Sequence, residues 1–506
     1  MSSAAASGEA PARTKTLGHG AVWSFTSTLV TRVTGIAITA IVVHIVSPHD
    51  FGVFTIAATV YAIVSSFSEL GLSACIVRRD VELPAVAPSV ALLSLASGLA
   101  TAGMMVAFAP AIGALLGSAD AAGPIRVLAI VIVISSFTTV SNAALARDFR
   151  QGNLFVGSLV AFVPMNASLV VLALHGDGAL AFAWSRVIGQ AVLSAWVVVA
   201  AGRYWWPAWN VGAARIAVGF GAPLAGANLL NYLFLNADYA FVGRLLGPAV
   251  LASYTLAFTA ASWSTAALAG TVNSVALPAF SADRGAPQLL AAALGRWCRM
   301  LALLAFPVCA ILAVLARPLI ITLYGERWTE AIPVLAVLCT YSAVFIVTLL
   351  FSNLLVALGR TGRVLIIQAS WLAALIVAIF VGVELFGLIG AAVAHVVVIC
   401  AVVVPLYCWA LRGAGSGLLS AAGRAVIAPL IAASVSAAAA LAVSALLEPE
   451  PLKLIAGLAA GGVVYALLAL PVARDYLPQS LRRRMPRYLD LVATLTAARL
   501  LRSDAR

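Results

Sequence analysis

Two arginines, Arg32 and Arg186, lie inside long apolar runs, where an unpaired charge costs several kcal/mol. Arg32 falls about 12 residues, roughly 18 Å, into the first run, and Arg186 about 8 residues, roughly 12 Å, into the sixth from the opposite face. In a hydrocarbon core about 30 Å thick the two reach a similar depth. Arginine presents a planar fork of donors that matches phosphate oxygens, so a pair at one level could hold a diphosphate. Each could instead pair with a carboxylate or snorkel to the interface. The nearest carboxylate is Glu69, roughly 13 Å into the second run. An intramembrane carboxylate can exchange a proton or a sodium ion, because losing its charge changes the cost of burying it. Glu69 is therefore a candidate ion-coupling group, with a permanent brace to Arg32 as the other reading; an arriving phosphate that displaces the carboxylate reconciles the two. Farther on, Asn228, Asn231, Tyr232 and Asp238 recur at helical spacing and predict a polar stripe facing a cavity or a neighbouring helix. Asp238, near an outer end, and Arg244 in the following turn are expected to form an interfacial salt bridge or an outer gate.

The elements that must position these groups are transmembrane helices. The chain of 506 residues is 63% hydrophobic and 9% charged, and its charges sit in short gaps between apolar runs long enough to cross a bilayer. Spans are predicted near 20–46, 52–76, 86–110, 122–145, 154–175, 178–201, 213–240, 248–280, 297–322, 330–358, 362–384, 386–411, 420–446 and 451–473, an all-α integral membrane protein with 14 transmembrane helices. With the amino terminus in the cytoplasm, nearly every arginine falls on the cytoplasmic side, and the opposite face receives only Arg126, Arg244, Arg317, Arg327 and Lys453. The net charge of +12 thus reports topology, and no aromatic-interleaved basic patch points to nucleic acid. Both termini are predicted to be cytoplasmic, and the first span is expected to remain as an anchor. The six cysteines sit in or at the ends of apolar spans without metal-type spacing, so no metal or disulfide framework is expected. No nucleotide-binding Gly-Lys-Ser/Thr loop is found and the outer loops are short, with dispersed acids, so neither an enzyme nor a bound cofactor is expected. Pro164, Pro223, Pro307, Pro405 and Pro429 interrupt spans and permit bends. Tyr204, Trp205, Trp206 and Trp209 read as an interface anchor, and the segment from Pro486 as an amphipathic helix or a solvated basic tail.

The chain repeats itself. "HIVSPHDFGVFTIAATVYAIVSSFSELGLSACIVR" from His44 aligns without gaps on "RLLGPAVLASYTLAFTAASWSTAALAGTVNSVALP" from Arg244, pairing Pro48 with Pro248 and Phe54 with Tyr254. "SNAALARDFRQGN" from Ser141 similarly matches "SNLLVALGRTGRV" from Ser352. Two six-span copies of one orientation imply an approximate two-fold axis along the membrane normal. The predicted division is a tail at 1–18, an amino-terminal lobe at 19–205, a carboxy-terminal lobe at 206–412, two added spans at 413–473 and a basic tail at 474–506.

These residues also suggest a family. "SPHDFGVFTIAATVYAIVSSFSELGLSACIVRR", "NADYAFVGRLLGPAVLASYTLAF", "LYGERWTEAIPVLAVL" and "NLLVALGRTGR" resemble stretches of the bacterial polysaccharide-repeat flippases, the lipid-linked oligosaccharide branch of the MOP exporter superfamily. The resemblance covers nearly the whole chain. It implies two six-helix lobes around a cavity that opens alternately to each face, carrying an undecaprenyl-diphosphate-linked oligosaccharide to the outer leaflet of the inner membrane. Arg32 and Arg186 would then bind the diphosphate, Asn228 and Asn231 the sugar hydroxyls, and Glu69 the coupling ion. A polysaccharide polymerase and a glycosyltransferase would be partners. A peptidoglycan-precursor (lipid II) flippase shares the cationic cavity and stays open as an alternative; a multidrug or cation exporter would want an acidic cavity, against which the two arginines argue.

Overall fold

The computed structural model describes residues 34–68, 71–77, 82–203, 205–272, 276–282, 287–412 and 417–473. Arg32, Glu69, the two predicted tails and the segment from Pro486 lie outside them. Among the described residues the chain is helical, without strands, and ten helices are long and apolar enough to cross a membrane. Helix is what lipid imposes, since a segment in hydrocarbon must satisfy its own backbone N–H and C=O groups. In chain order the helices are α1 (Thr34–Ile45), α2 (Pro48–Ser68), α3 (Leu72–Val77), α4 (Leu83–Leu115), α5 (Ala122–Arg147), α6 (Gln151–His175), α7 (Ala179–Ala201), α8 (Val211–Leu246) and α9 (Pro248–Thr271). They continue with α10 (Leu277–Ala282), α11 (Pro287–Val314), α12 (Ala316–Tyr324), α13 (Ala331–Ala357), α14 (Thr361–Val398), α15 (Val404–Arg412), α16 (Leu418–Ala445) and α17 (Glu450–Ala473).

The chain divides into two compact units, Met1–Asn236 and Ala237–Arg506, and α8 runs from the first into the second. In the first unit α5 packs on α4 and α7, and α6 on α7. Its core includes Leu72, Ile76, Val86, Val90, Val140 and Ala217. The start of α2 is fixed by Ser47 as N-cap: its Oγ accepts from the Asp50 N–H at 3.1 Å and donates to Asp50 Oδ2 at 2.6 Å, with Pro48 between them at the first helical position. In the second unit α13 packs on α9, α11 and α14, and α11 on α16. The added helix α17 docks through Gly457 and Gly461, one turn apart. A methyl group on Gly457 would meet Leu315 at 2.8 Å, and one on Gly461 would meet Ile311 at 2.9 Å. Small residues there let helix backbones approach where lipid supplies no hydrophobic drive.

Two predicted spans differ in detail. The span expected over 52–76 is broken at Gly71, between α2 and α3: its φ of +59° ends a helix, and its missing side chain admits the Gly221 carbonyl, 2.8 Å from where a Cβ would sit. Over the span expected at 248–280 the described helices are α9 and α10, and residues 273–275 between them lie outside the described residues. The one expected over 297–322 begins earlier, at Pro287, and ends at Val314, because the Pro318 ring would clash with the Val314 carbonyl four residues back. At Gly387 (φ +59°, ψ −138°) the helical path of α14 reverses sharply enough that a methyl on Gly382 would lie 2.5 Å from the Gly390 carbonyl oxygen. Past it, a π-turn at Ile399–Val403 precedes Pro405, which has no N–H to continue a regular ladder.

The sequence repeat has a structural counterpart. In the turn between α5 and α6, Phe149 N donates to Ala146 O and Arg150 N to Leu145 O. Between α13 and α14, Gly359 N donates to Val356 O and Arg360 N to Leu355 O. The left-handed residues are Phe149 (φ 56°) and Gly359 (φ 75°). The true register pairs Phe149 with Gly359, one residue off the alignment by identity, because the position that must adopt positive φ fixes the turn.

Candidate functional site

Arg186 sits on α7, eight residues past Gly178, and therefore roughly 12 Å from that end of the helix. Its guanidinium carbon lies 5.5 Å from the centroid of Phe54, six residues into α2. Phe182, one turn before Arg186, stacks on Phe54 at 4.8 Å and meets Phe51 edge-on at 5.4 Å. The aromatic face attracts the cation through its quadrupole and holds the side chain against the helix bundle. Phe51, Phe54 and Phe182 are buried, whereas Arg186 is exposed. Among the described residues no carboxylate forms an ion pair with it. The chain therefore places an accessible cation on an aromatic platform within an apolar span, which suits an anion brought to it.

The second unit holds a different cluster. Asp238 on α8, Tyr254 on α9 and His395 on α14 are all buried, with relative exposures of 3%, 0% and 3%. Tyr254 Oη donates to Asp238 Oδ2 at 2.9 Å and lies 2.9 Å from His395 Nε2, while His395 Nε2 is 3.6 Å from Asp238 Oδ2. Tyr239 meets Tyr254 edge-on at 5.8 Å, and Tyr341 of α13 meets His395 at 5.0 Å. Since the Tyr254 hydrogen is committed to Asp238, its oxygen accepts from His395 Nε2–H. His395 Nδ1 is buried and, among the described residues, has no hydrogen-bond partner.

The predicted site residues separate accordingly. Asp238 pairs with Tyr254 and His395, and no salt bridge to Arg244 forms: Asp238 is buried and Arg244 is exposed. Burial varies along the polar stripe on α8. Asn228 is half-buried, and Asn231 and Tyr232 are exposed, all within the first unit, while Asp238 is buried in the second. The boundary between units falls at Asn236 and Ala237. Arg32 and Glu69 lie outside the described residues.

His395 was not singled out by composition or motif, yet a signal for it exists. Gly178 (φ 50°, ψ −122°) and Gly387 (φ 59°, ψ −138°) adopt nearly the same backbone, and Arg186 and His395 each follow by eight residues. Phe54 and Tyr254 each lie six residues past Pro48 and Pro248. The two clusters thus occupy equivalent positions of the repeat: Arg186 over Phe54 in one unit, His395 on Tyr254 in the other.

Comparison with known proteins places the chain. The profile of a family described as polysaccharide biosynthesis protein matches residues 41–333. The succinoglycan biosynthesis transport protein ExoT of Rhizobium meliloti is 27% identical over 491 residues, covering 94% of this chain and 97% of that protein. The lipopolysaccharide biosynthesis protein WzxC of Escherichia coli is 23% identical over 75% of this chain and 77% of its own length. Among solved structures, the lipid II flippase MurJ in an inward-closed conformation superposes with a TM-score of 0.72 at 13% identity, covering 90% of this chain and all of that one. An inward-facing multidrug transporter of the MATE family, in the MOP superfamily, gives 0.58 at 19% identity, over 78% of this chain and 96% of that one. These likenesses show a fold of the MurJ and MATE kind.

Proposed function

Because the chain belongs to the polysaccharide biosynthesis protein family, we propose that it flips an undecaprenyl-diphosphate-linked oligosaccharide repeat unit from the cytoplasmic to the outer leaflet by alternating access, driven by an ion gradient. The observation that carries this reading is the accessible Arg186 on its Phe54 platform, a permanent cation in an apolar span. Charge-assisted hydrogen bonds from a guanidinium to phosphate are among the strongest a protein can offer. Arg32 would supply the second fork, and Asn231, exposed on α8, with Asn228 would bind sugar hydroxyls. The chain would cross the inner membrane fourteen times with both termini cytoplasmic. The Gly387 reversal, which divides the 52-residue apolar stretch Thr361–Arg412, and the apolar helices α1, α2 and α9 support this count beyond the ten spans. Two six-span lobes at 19–205 and 206–412, with the added pair at 413–473, are the matching division. A polymerase and a glycosyltransferase would act on either side of the flip.

The fold likeness to a lipid II flippase favours a second reading, transport of a peptidoglycan precursor, whose diphosphate would use the same arginines. A depletion strain separates the two. Loss of the chain should trap lipid-linked oligosaccharide on the cytoplasmic leaflet while peptidoglycan synthesis continues, and Arg32→Ala with Arg186→Ala should reproduce the block. Arrest of peptidoglycan synthesis instead would favour the precursor substrate, and normal export without both arginines would remove them from transport.

A further inference from the structure

The coupling ion assumed above has no described site at Glu69, but the second unit contains a set of groups suited to hold one. We propose that Asp238, Tyr254 and His395 form a proton-binding site through which transport is coupled to the proton gradient; this rests on the reading of the chain as a gradient-driven flippase. Asp238 Oδ2 accepts from Tyr254 Oη at 2.9 Å, and Tyr254 Oη lies 2.9 Å from His395 Nε2. All three are at most 3% exposed. The other titratable groups facing them are Tyr239 on α8 and Tyr341 on α13, and no lysine or arginine among the described residues pairs with the cluster. With imidazole neutral and carboxylate ionised, the cluster holds one uncompensated negative charge in the membrane interior, a state costing several kcal/mol. One added proton makes the total charge zero, whether it rests on His395 Nδ1, now a bare buried acceptor, or on the Asp238 carboxyl.

Proton exchange at such a buried cluster requires opening to water or arrival of another cation. Three features put such opening within reach of the fold. Asp238 is the second residue of the second unit, on the helix that carries the chain over from the first. The His395 carbonyl accepts from the Ile399 N–H, at the entry to the π-turn Ile399–Val403, and such irregular turns collect at functional sites. By helical rise Asp238 lies roughly 12 Å from the Leu246 end of α8, and His395 roughly 12 Å from the Gly387 reversal, a depth that must be reached through a water-filled path. A metal reading is less apt: among the described residues no group of three or more His, Cys, Asp or Glu could hold an ion.

The test uses purified full-length chain in two arms. In proteoliposomes, with undecaprenyl diphosphate carrying one hexosamine as the probe, a pH difference of one unit should raise the flipping rate up to about tenfold, the ratio one proton per cycle permits. An equal sodium gradient should not. In Asp238→Asn and His395→Asn the rates with and without the pH difference should coincide, and Tyr254→Phe, which keeps the ring packing, should show a reduced response. In detergent, difference titration of wild type against the Asp238→Asn, His395→Asn double variant should count at least one more proton per chain over the pH range in which both stay folded. Wild-type flipping indifferent to the pH difference, or undiminished response in both variants, overturns the proton site and leaves the flippase reading intact. If the wild type flips no probe, the flippase reading fails, and the titration alone decides whether the cluster binds a proton: zero difference overturns it.

Discussion

Equivalent positions of the two repeats carry Arg186 against Phe54 in one unit and His395 against Tyr254 in the other. The backbone framing is shared, a positive-φ glycine eight residues upstream of Arg186 and of His395 and a proline six residues upstream of the ring. The chemistry is not. Phenylalanine offers only a face, so its partner stays accessible and, among the described residues, unpaired with a carboxylate. Tyrosine adds a hydroxyl, which recruits Asp238 and draws its imidazole into a closed network. One hydroxyl and one carboxylate separate a site suited to an incoming anion from one suited to a proton.

The comparison breaks most visibly at Arg186. Arg186→Ala should reduce flipping about 10- to 100-fold, the loss of roughly 1.5–3 kcal/mol of charge-assisted hydrogen bonding, read as initial rate in proteoliposomes. Removing the acceptor from the other cluster, Asp238→Ala, should destabilise the second unit by about 1–3 kcal/mol, seen as a lower thermal midpoint in detergent, because the Tyr254 hydroxyl loses its buried acceptor. Arg186→His sharpens the contrast by making the first site titratable. Flipping should then fall as pH rises through the imidazole range, since the neutral ring no longer attracts phosphate, while the wild-type arginine stays charged throughout.

Smaller effects belong to the frame that holds both clusters. Gly461→Val should cost about 1–3 kcal/mol by forcing α17 away from Ile311, measured as a lowered thermal midpoint. Phe149→Gly should raise stability by up to about 1 kcal/mol, giving the first repeat the residue type its partner turn has at Gly359.

Much of the helical framework was legible in the residues because lipid leaves apolar runs few alternatives, and charges between runs mark their ends. Breaks were less legible where they depend on contact: Gly71 is permitted by the carbonyl of Gly221, far along the chain. Arg186 stood out because an arginine in an apolar span is conspicuous. His395 did not, since a histidine among valines and alanines reads as an ordinary core residue until Gly387 fixes its register against Arg186. Asp238 looked like a partner for Arg244 by proximity along the helix, but burial against α9 and α14 brings Tyr254 and His395 to it instead.

A cryo-electron microscopy structure of the full chain with undecaprenyl diphosphate bears most directly on whether Arg186 receives the substrate. Phosphate oxygens should lie within about 3 Å of the Arg186 guanidinium, with its contact to Phe54 retained. Density showing that guanidinium held by a carboxylate or turned outward among acyl chains, with the diphosphate elsewhere, would contradict it.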